Sequence, residues 1–349
     1  MNLRMLNRAR TTLKASLIVA AVSTLVSGVA LANEFPSLEN PGIGALSAGP
    51  AYWTADRRKA AKERVLFRDG GISVQVAGSA DLDFTRSRVT PRTAVTSNPY
   101  KAAGKLFFTE PGVGDFQCSA SIINNRVIVT AAHCLFDPVA KSFFTNWVFI
   151  PAYDGALANP AGSQTSPQEP FGSWDWQTVF VSATWNNTGG ALPNNGDFGV
   201  IVLHDQSFSG TAPVSVKTKV GASFTAVTNN LANTHVTILG YPCNFNNCNI
   251  MQRNDSSDHR VGSTAPGNNA FEYGSDMAGG SSGGPWVQNF GDPLSAPPTG
   301  VRNLTRDAVV GVTSYGFTDP NVRILGASGF NAEFAAMLSA ACTNATGNC

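Results

Sequence analysis

Gly279-Gly280-Ser281-Ser282-Gly283-Gly284-Pro285-Trp286 sets four glycines around two serines. Glycine packs nothing and costs backbone entropy, so a run of it marks a place where the chain turns sharply or approaches something closely. Such a backbone can fold tightly around Ser282 and aim N–H groups at one point. An acyl-transfer nucleophile needs that setting: an exposed Oγ and donors for a developing oxyanion. Taken alone, the stretch reads equally well as a flexible Gly/Ser loop, because a short motif is only a hypothesis. The rest of the chain decides between the two.

The chain has 349 residues, enough for about two domains or one larger domain with appendages. Charged residues make up 13 % of it, against a usual ~25 %, while Gly, Asn, Ser, Thr and β-branched residues are plentiful. That composition indicates a loop-rich, mostly β, exported protein, and the apolar fraction of 43 % is ample for a core. Arg4, Arg8, Arg10 and Lys14 precede an uncharged apolar run over residues 16–31, and Ala30-Leu31-Ala32 is an A-x-A cleavage site. Residues 1–32 therefore read as a signal peptide, too short and too broken by Ser and Gly for a membrane anchor. The expected location is outside the cytoplasm, extracellular or periplasmic.

Residues 33–88 differ in character from the remainder of the chain. A Pro/Gly/Ser/Ala-rich lead gives way to a helix-prone run carrying Arg57, Arg58, Lys59, Lys62, Arg64 and Arg68. Before residue 89 there are 12 basic and 7 acidic residues, and after it 12 and 16. The small net charge of +1 thus conceals a basic leader and a mildly acidic body. We read 33–88 as a pro-segment, with an ordinary N-terminal subdomain as the competing reading. The acidic body excludes a nucleic-acid surface.

Six cysteines in an exported chain indicate disulfides. Of the 15 possible connectivities, local pairing is the simplest: Cys118 with Cys134, Cys243 with Cys248, Cys342 with Cys349. No cysteine or histidine has metal-site spacing, so neither a metal nor a cofactor is expected. From about residue 100 the pattern is one of short β runs between turns: 105–109, a hairpin over 119–130, 147–150, 178–184, 198–203, 214–217, 235–239, 308–314 and 322–325. Strands so spaced, without intervening helices, favour a sandwich or barrel. Residues 331–342 (NAEFAAMLSAAC) are predicted as a helix with Asn331 as N-cap.

Two further segments bear on Ser282. Val129-Thr130-Ala131-Ala132-His133-Cys134 places a histidine, the usual general base, just after a strand. Asp197-Phe198-Gly199-Val200-Ile201-Val202-Leu203 places an acid at the buried start of another. Each has a plain structural reading by itself, as a core histidine and a turn aspartate. Order along the chain discriminates further. Gly280-Ser281-Ser282-Gly283-Gly284 also fits the nucleophile elbow of α/β-hydrolases, which needs its histidine after the serine. All four histidines (133, 204, 235, 259) precede Ser282, so that reading fails.

TAAHC, DFGVIVL and GSSGGP, in that order, resemble the trypsin/chymotrypsin-like serine peptidases, with CSASIINNRVIVTAAHC similar to that family's hairpin and its disulfide. The likeness covers about residues 89–349 and leans toward the bacterial glutamyl-endopeptidase-like branch. It implies an all-β fold of two six-stranded antiparallel β-barrels, residues 89–210 and 211–349, with the site between them and a C-terminal helix. It implies a secreted, monomeric serine endopeptidase acting on protein or peptide substrates through His133, Asp197 and Ser282. By the same likeness the Gly280 and Ser282 N–H groups form the oxyanion hole, and Ser314-Tyr315-Gly316 binds substrate backbone.

Two positions depart from the family. Ser281 stands where trypsin-like enzymes carry an aspartate that pairs with the new N-terminus, so that route of activation is in question. Asp276, six residues before Ser282, matches an acidic pocket floor and predicts cleavage after basic residues; its other reading is a loop cap, since Ala278 replaces the cysteine that would pin the pocket loop. Thr313 replaces the histidine usual in glutamate-specific relatives, which weakens glutamate specificity without removing it. The competing functions are a non-catalytic binding module of the same family and an esterase on the same fold.

Overall fold

The computed structural model describes residues 35–40, 49–68, 83–159, 164–228, 234–257, 270–291 and 305–349. The predicted signal peptide, part of the predicted pro-segment and His259 lie outside these residues. Strands Val127–Thr130 and Gly199–Leu203 are short apolar runs buried along their whole length, the pattern of strands covered on both faces. They sit side by side in the first sheet. Its order is Trp174–Val181, Thr145–Pro151, Ala103–Glu110, Gly114–Ile122, Val127–Thr130 and Gly199–Leu203. Gly199–Leu203 pairs back onto Trp174–Val181, which closes a six-stranded antiparallel barrel. Trp147 and Trp176 meet edge-on inside it at 4.8 Å.

The second sheet runs Ala270–Gly274, Ile324–Gly329, Ala308–Phe317, Pro285–Gln288, His235–Gly240 and Gln252–Ser257. It curls like the first but stays open. The outer edge of Gln252–Ser257 is occupied by Phe84–Arg88, so it cannot ladder with Ala270–Gly274. A side-chain bond, Asn254 Nδ2 to the Gly274 carbonyl at 3.0 Å, spans the gap. The expectation of two six-stranded barrels thus resolves into one closed barrel and one curled half-barrel.

The body's helices also refine the sequence reading. The strand predicted at 214–217 is a cap and a helix: Ser215 Oγ accepts the Thr218 N–H and residues Val216–Val220 are helical. The run predicted at 178–184 ends at Val181, where Ser182 caps the helix Ala183–Thr188. In both places a serine side chain satisfied orphan helix donors that the strand reading ignored. Helix Ala332–Asn344 forms as predicted, with Asn331 Oδ1 accepting the Phe334 N–H at 3.0 Å.

Residues from the proposed pro-segment are woven into both sheets. Ser37–Glu39 pairs with Trp174–Val181. Trp53 is buried, donates from Nε1 to the Asn146 carbonyl at 2.7 Å and packs 5.2 Å from Phe107. Lys62–Glu63 adds to Gly114–Ile122, and Phe67–Arg68 adds to Ala308–Phe317, each in parallel.

Candidate active site

His133 follows strand Val127–Thr130 in a single helical turn, Ala132–Cys134. The Cys118–Cys134 disulfide ties that turn to the neighbouring strand. Asp197 precedes Gly199–Leu203, the strand that pairs with Val127–Thr130, so register alone brings the acid beside the histidine. The contact is made twice. Asp197 Oδ1 accepts the His133 backbone N–H at 2.9 Å, and Oδ2 lies 2.8 Å from Nδ1 of the ring. Ser314 Oγ donates to the same Oδ2 at 2.5 Å. All three groups are buried, and the carboxylate is held by several donors at once. Nε2 of His133 is buried and has no hydrogen-bond partner among the described residues.

The Ser282 turn comes from the second sheet, just before strand Pro285–Gln288. Its glycines are required by contact. Gly280 has φ +93°, and a Cβ there would stand 2.5 Å from the Tyr241 carbonyl oxygen. Gly283 has φ +78°, and its Cβ would fall 2.0 Å from Thr130 Oγ1 of the first barrel. Any larger residue would push the turn away from the histidine side.

The turn is also clamped. Ser119 N–H donates to the Ser282 carbonyl at 2.7 Å and Ser119 Oγ to the Gly280 carbonyl at 2.8 Å. Gly283 N–H reaches the Thr313 carbonyl at 2.8 Å. Ser281 bonds within its own turn, Oγ to the Ala278 carbonyl at 2.6 Å. Its hydroxyl thus secures the loop locally, at the position where an ion-paired acid was expected. The N–H groups of Gly280 and Ser282 make no internal bond among the described residues.

The remaining predicted residues surround a cavity of about 340 Å³ next to Ser282. Asp276, Thr313, Tyr315 and Gly316 line it, whereas Ser314 points the other way, to Asp197. Thr313 Oγ1 is engaged by Trp286 Nε1 at 3.0 Å. Tyr315 donates its hydroxyl to Glu272 at 2.7 Å; burial, then the Glu272 charge, hold its phenol well above the usual range. Asp276 Oδ1 lies 2.7 Å from Arg86 Nε, an ion pair without the alignment of a hydrogen bond, and the guanidinium stacks 3.4 Å over the Phe245 ring.

The three cysteine pairs are joined as the local scheme predicted. Cys118, His133 and Cys134 lie at metal-ligand distances, but their two sulfurs are bonded to each other and offer no thiolate. The other described histidines stand apart: His235 is exposed at a strand start, and His204 donates its backbone N–H to the Asp175 carbonyl.

Sequence reasoning missed Ser119, Glu272, Arg86 and the passage of residues 62–68 beside this cavity. Glu272, Arg86 and residues 62–68 belong to no motif, and Ser119 lies in the CSASIINN hairpin without a role that the motif assigns. Their positions depend on strand pairings between distant segments, which no local pattern reports.

A family model described as Trypsin matches residues 92–328. The glutamyl endopeptidase of Bacillus licheniformis is 30 % identical over 168 residues, covering 48 % of this chain and 42 % of that protein's length. The match thus spans less than half of that relative. Among solved structures, a thermostable serine protease from an extremophilic microorganism is 26 % identical with a TM-score of 0.53, over 70 % of this chain and 98 % of that one. Two others share the fold at lower identity. A protease from Arthrobacter nicotinovorans is 22 % identical (TM-score 0.51, 69 % and 95 % covered), and a Glu endopeptidase is 20 % identical (TM-score 0.51, 74 % and 96 % covered).

Proposed function

The chain belongs to the trypsin family, and from that premise we propose that it is a secreted serine endopeptidase working through Ser282, His133 and Asp197. The observation that carries the proposal is the double contact of Asp197 with His133, which leaves Nε2 as the one ring nitrogen without a partner. Asp197 holds the proton on Nδ1 and stabilises the imidazolium once it forms. Nε2 then takes the Ser282 proton as Oγ attacks the scissile carbonyl, and returns it to the leaving amine. The oxyanion is received by the N–H groups of Gly280 and Ser282, which have no internal partner among the described residues to give up.

Residues on the acyl side of the substrate add as a strand to Ser314–Gly316, running from Gly316 toward Ser314 so that the scissile carbonyl arrives at Ser282. The leaving amine lies on the side of strand Gly114–Ile122, to which His133 is tethered by Cys134. Residues 1–32 serve as the export signal and 33–88 as the pro-segment. The three disulfides are consistent with an oxidising destination.

A fluorophosphonate probe tests the reading. It should label Ser282, the label should vanish on heat denaturation, and Ser282→Ala should lower peptide hydrolysis by at least ~10⁴-fold with the fold intact. Near-normal turnover by that variant would overturn the assignment.

A further inference from the structure

We propose that residues 61–68 are a self-inhibitory peptide, seated across the Ser282 site in the direction opposite to a cleavable substrate. The proposal rests on the peptidase reading above. Two parallel pairings fix the segment. On the leaving-group side, Lys62 and Glu63 pair with Phe116 and Gln117. On the acyl side, Phe67 and Arg68 pair with Gly316 and Phe317. Main-chain bonds secure both ends: Arg64 N–H to the Gln117 carbonyl at 3.2 Å, and Gly316 N–H to the Leu66 carbonyl at 3.0 Å.

Between these anchors the chain must cross the Ser282 turn, and it does. A Cβ built on Gly279 would stand 2.5 Å from Glu63 Cγ and 3.3 Å from Val65 Cβ. Val65 and Phe67 line the same cavity as Ser281 and Ser282.

Side chains hold the segment in place. Arg64 pairs with Glu110 at 2.5 Å and lies over the Phe116 and Phe144 rings. Leu66 packs on Tyr315, Phe317 and Ile324. Arg68 reaches Glu272 at 2.8 Å. With the segment in place, His133 is 1 % and Ser282 3 % exposed, so the two reacting groups are shut off from solvent.

Direction explains why the segment survives there. A substrate runs antiparallel to Ser314–Gly316 and brings its leaving nitrogen to the His133 side. Residues 61–68 run parallel to that strand, so any peptide bond they present at Ser282 has its nitrogen on the Ser314–Gly316 side. Nε2 cannot reach that nitrogen to protonate it, and an acyl-enzyme cannot form productively. The segment therefore blocks the cleft without being cut in it. Its release requires hydrolysis elsewhere in the chain.

The test compares the intact chain with Leu66→Asp/Arg68→Glu, which removes the apolar and ionic anchors near Gly316. The expected result is at least tenfold faster fluorophosphonate labelling of the variant, with both chains still full-length by intact mass. Arg68→Gln, which leaves the apolar contacts alone, should give a smaller acceleration and guards against a variant that fails to fold. A synthetic peptide of residues 55–68, added in excess to the double variant, should slow its labelling and be recovered uncut. Equal labelling rates for the wild-type and variant chains would overturn self-inhibition and leave the peptidase reading standing. Cleavage of the peptide within residues 62–68 would overturn the reversed orientation. Failure of every chain to label, with Ser282→Ala as the blank, would overturn both.

Discussion

Lys105 carries a cationic head into the interior beside the site. It is 2 % exposed, donates to the Cys248 carbonyl at 2.5 Å, and lies about 5 Å from the rings of Phe107 and Tyr153. Burial lowers its pKa well below 10.5. The unfolded chain therefore binds one more proton than the folded chain between that lowered value and 10.5, and folding stability rises with pH across the window. The tyrosines act the other way above it. Burial pushes Tyr153 up to about 12 and raises Tyr241, so above about pH 10 the unfolded state ionises first and stability falls. Chemical denaturation of Lys105→Met between about pH 8.5 and 9.5 should show the rising slope reduced by up to about 1.4 kcal/mol per pH unit relative to wild type. An unchanged slope would mean that the ammonium is held protonated by the carbonyl and the rings.

Among the elements, strand Gln252–Ser257 shows why half of the second sheet is hard to read. Its sequence, QRNDSS, carries no apolar residue, yet Gln252, Asn254 and Ser256 face inward in strict alternation. They are tolerated because each finds a partner: Asn254 bonds to Gly274, Gln252 to the Ile250 carbonyl, and Ser256 to the Asp83 carbonyl. Hydrophobic periodicity is silent where a strand is held by hydrogen bonds. Helix Ala332–Asn344 is the opposite case. Asn331, Phe334 and Met337 announce it through cap and spacing, and the structure uses all three. Asn331→Ala removes the acceptor for the Phe334 N–H and should cost about 1 kcal/mol in equilibrium unfolding. A variant as stable as wild type would assign the helix start to Glu333, which accepts the Thr184 N–H at 2.9 Å.

At the scale of the molecule, that helix follows the second sheet in sequence but packs on the first barrel. Phe334 lies 5.4 Å from Phe198, directly after Asp197, and stacks on Phe330 at 3.7 Å. The end of the chain returns further, with the Arg126 N–H bonded to the Asn348 carbonyl at 3.0 Å and the Cys342–Cys349 bridge closing the tail. Removing residues 331–349 should therefore uncover Phe198 and loosen the strand that positions Asp197. The expected outcome is loss of a cooperative thermal transition together with loss of fluorophosphonate labelling. A truncated chain that labels normally would show that the helix is dispensable to the site. The same interweaving applies to the N-terminal side, where residues before 89 contribute strands to both sheets.

The parts of this protein that depend on local chemistry are legible in its residues alone. Glycines that admit no side chain mark the Ser282 turn, a cysteine locks the His133 loop, an acid opens the buried GVIVL strand, and the order histidine, aspartate, serine separates one hydrolase architecture from another. Local disulfides and the capped C-terminal helix were legible for the same reason. Tertiary structure decided whatever needed two distant edges to meet. Phe84–Arg88 occupies an edge of the second sheet and leaves it open; Arg86 comes to rest on Asp276; and residues 61–68 lie in the cleft in a parallel sense. Strand pairing is carried by main-chain groups common to every residue. Which edges meet, and in which direction, is therefore settled by the packing of the whole chain.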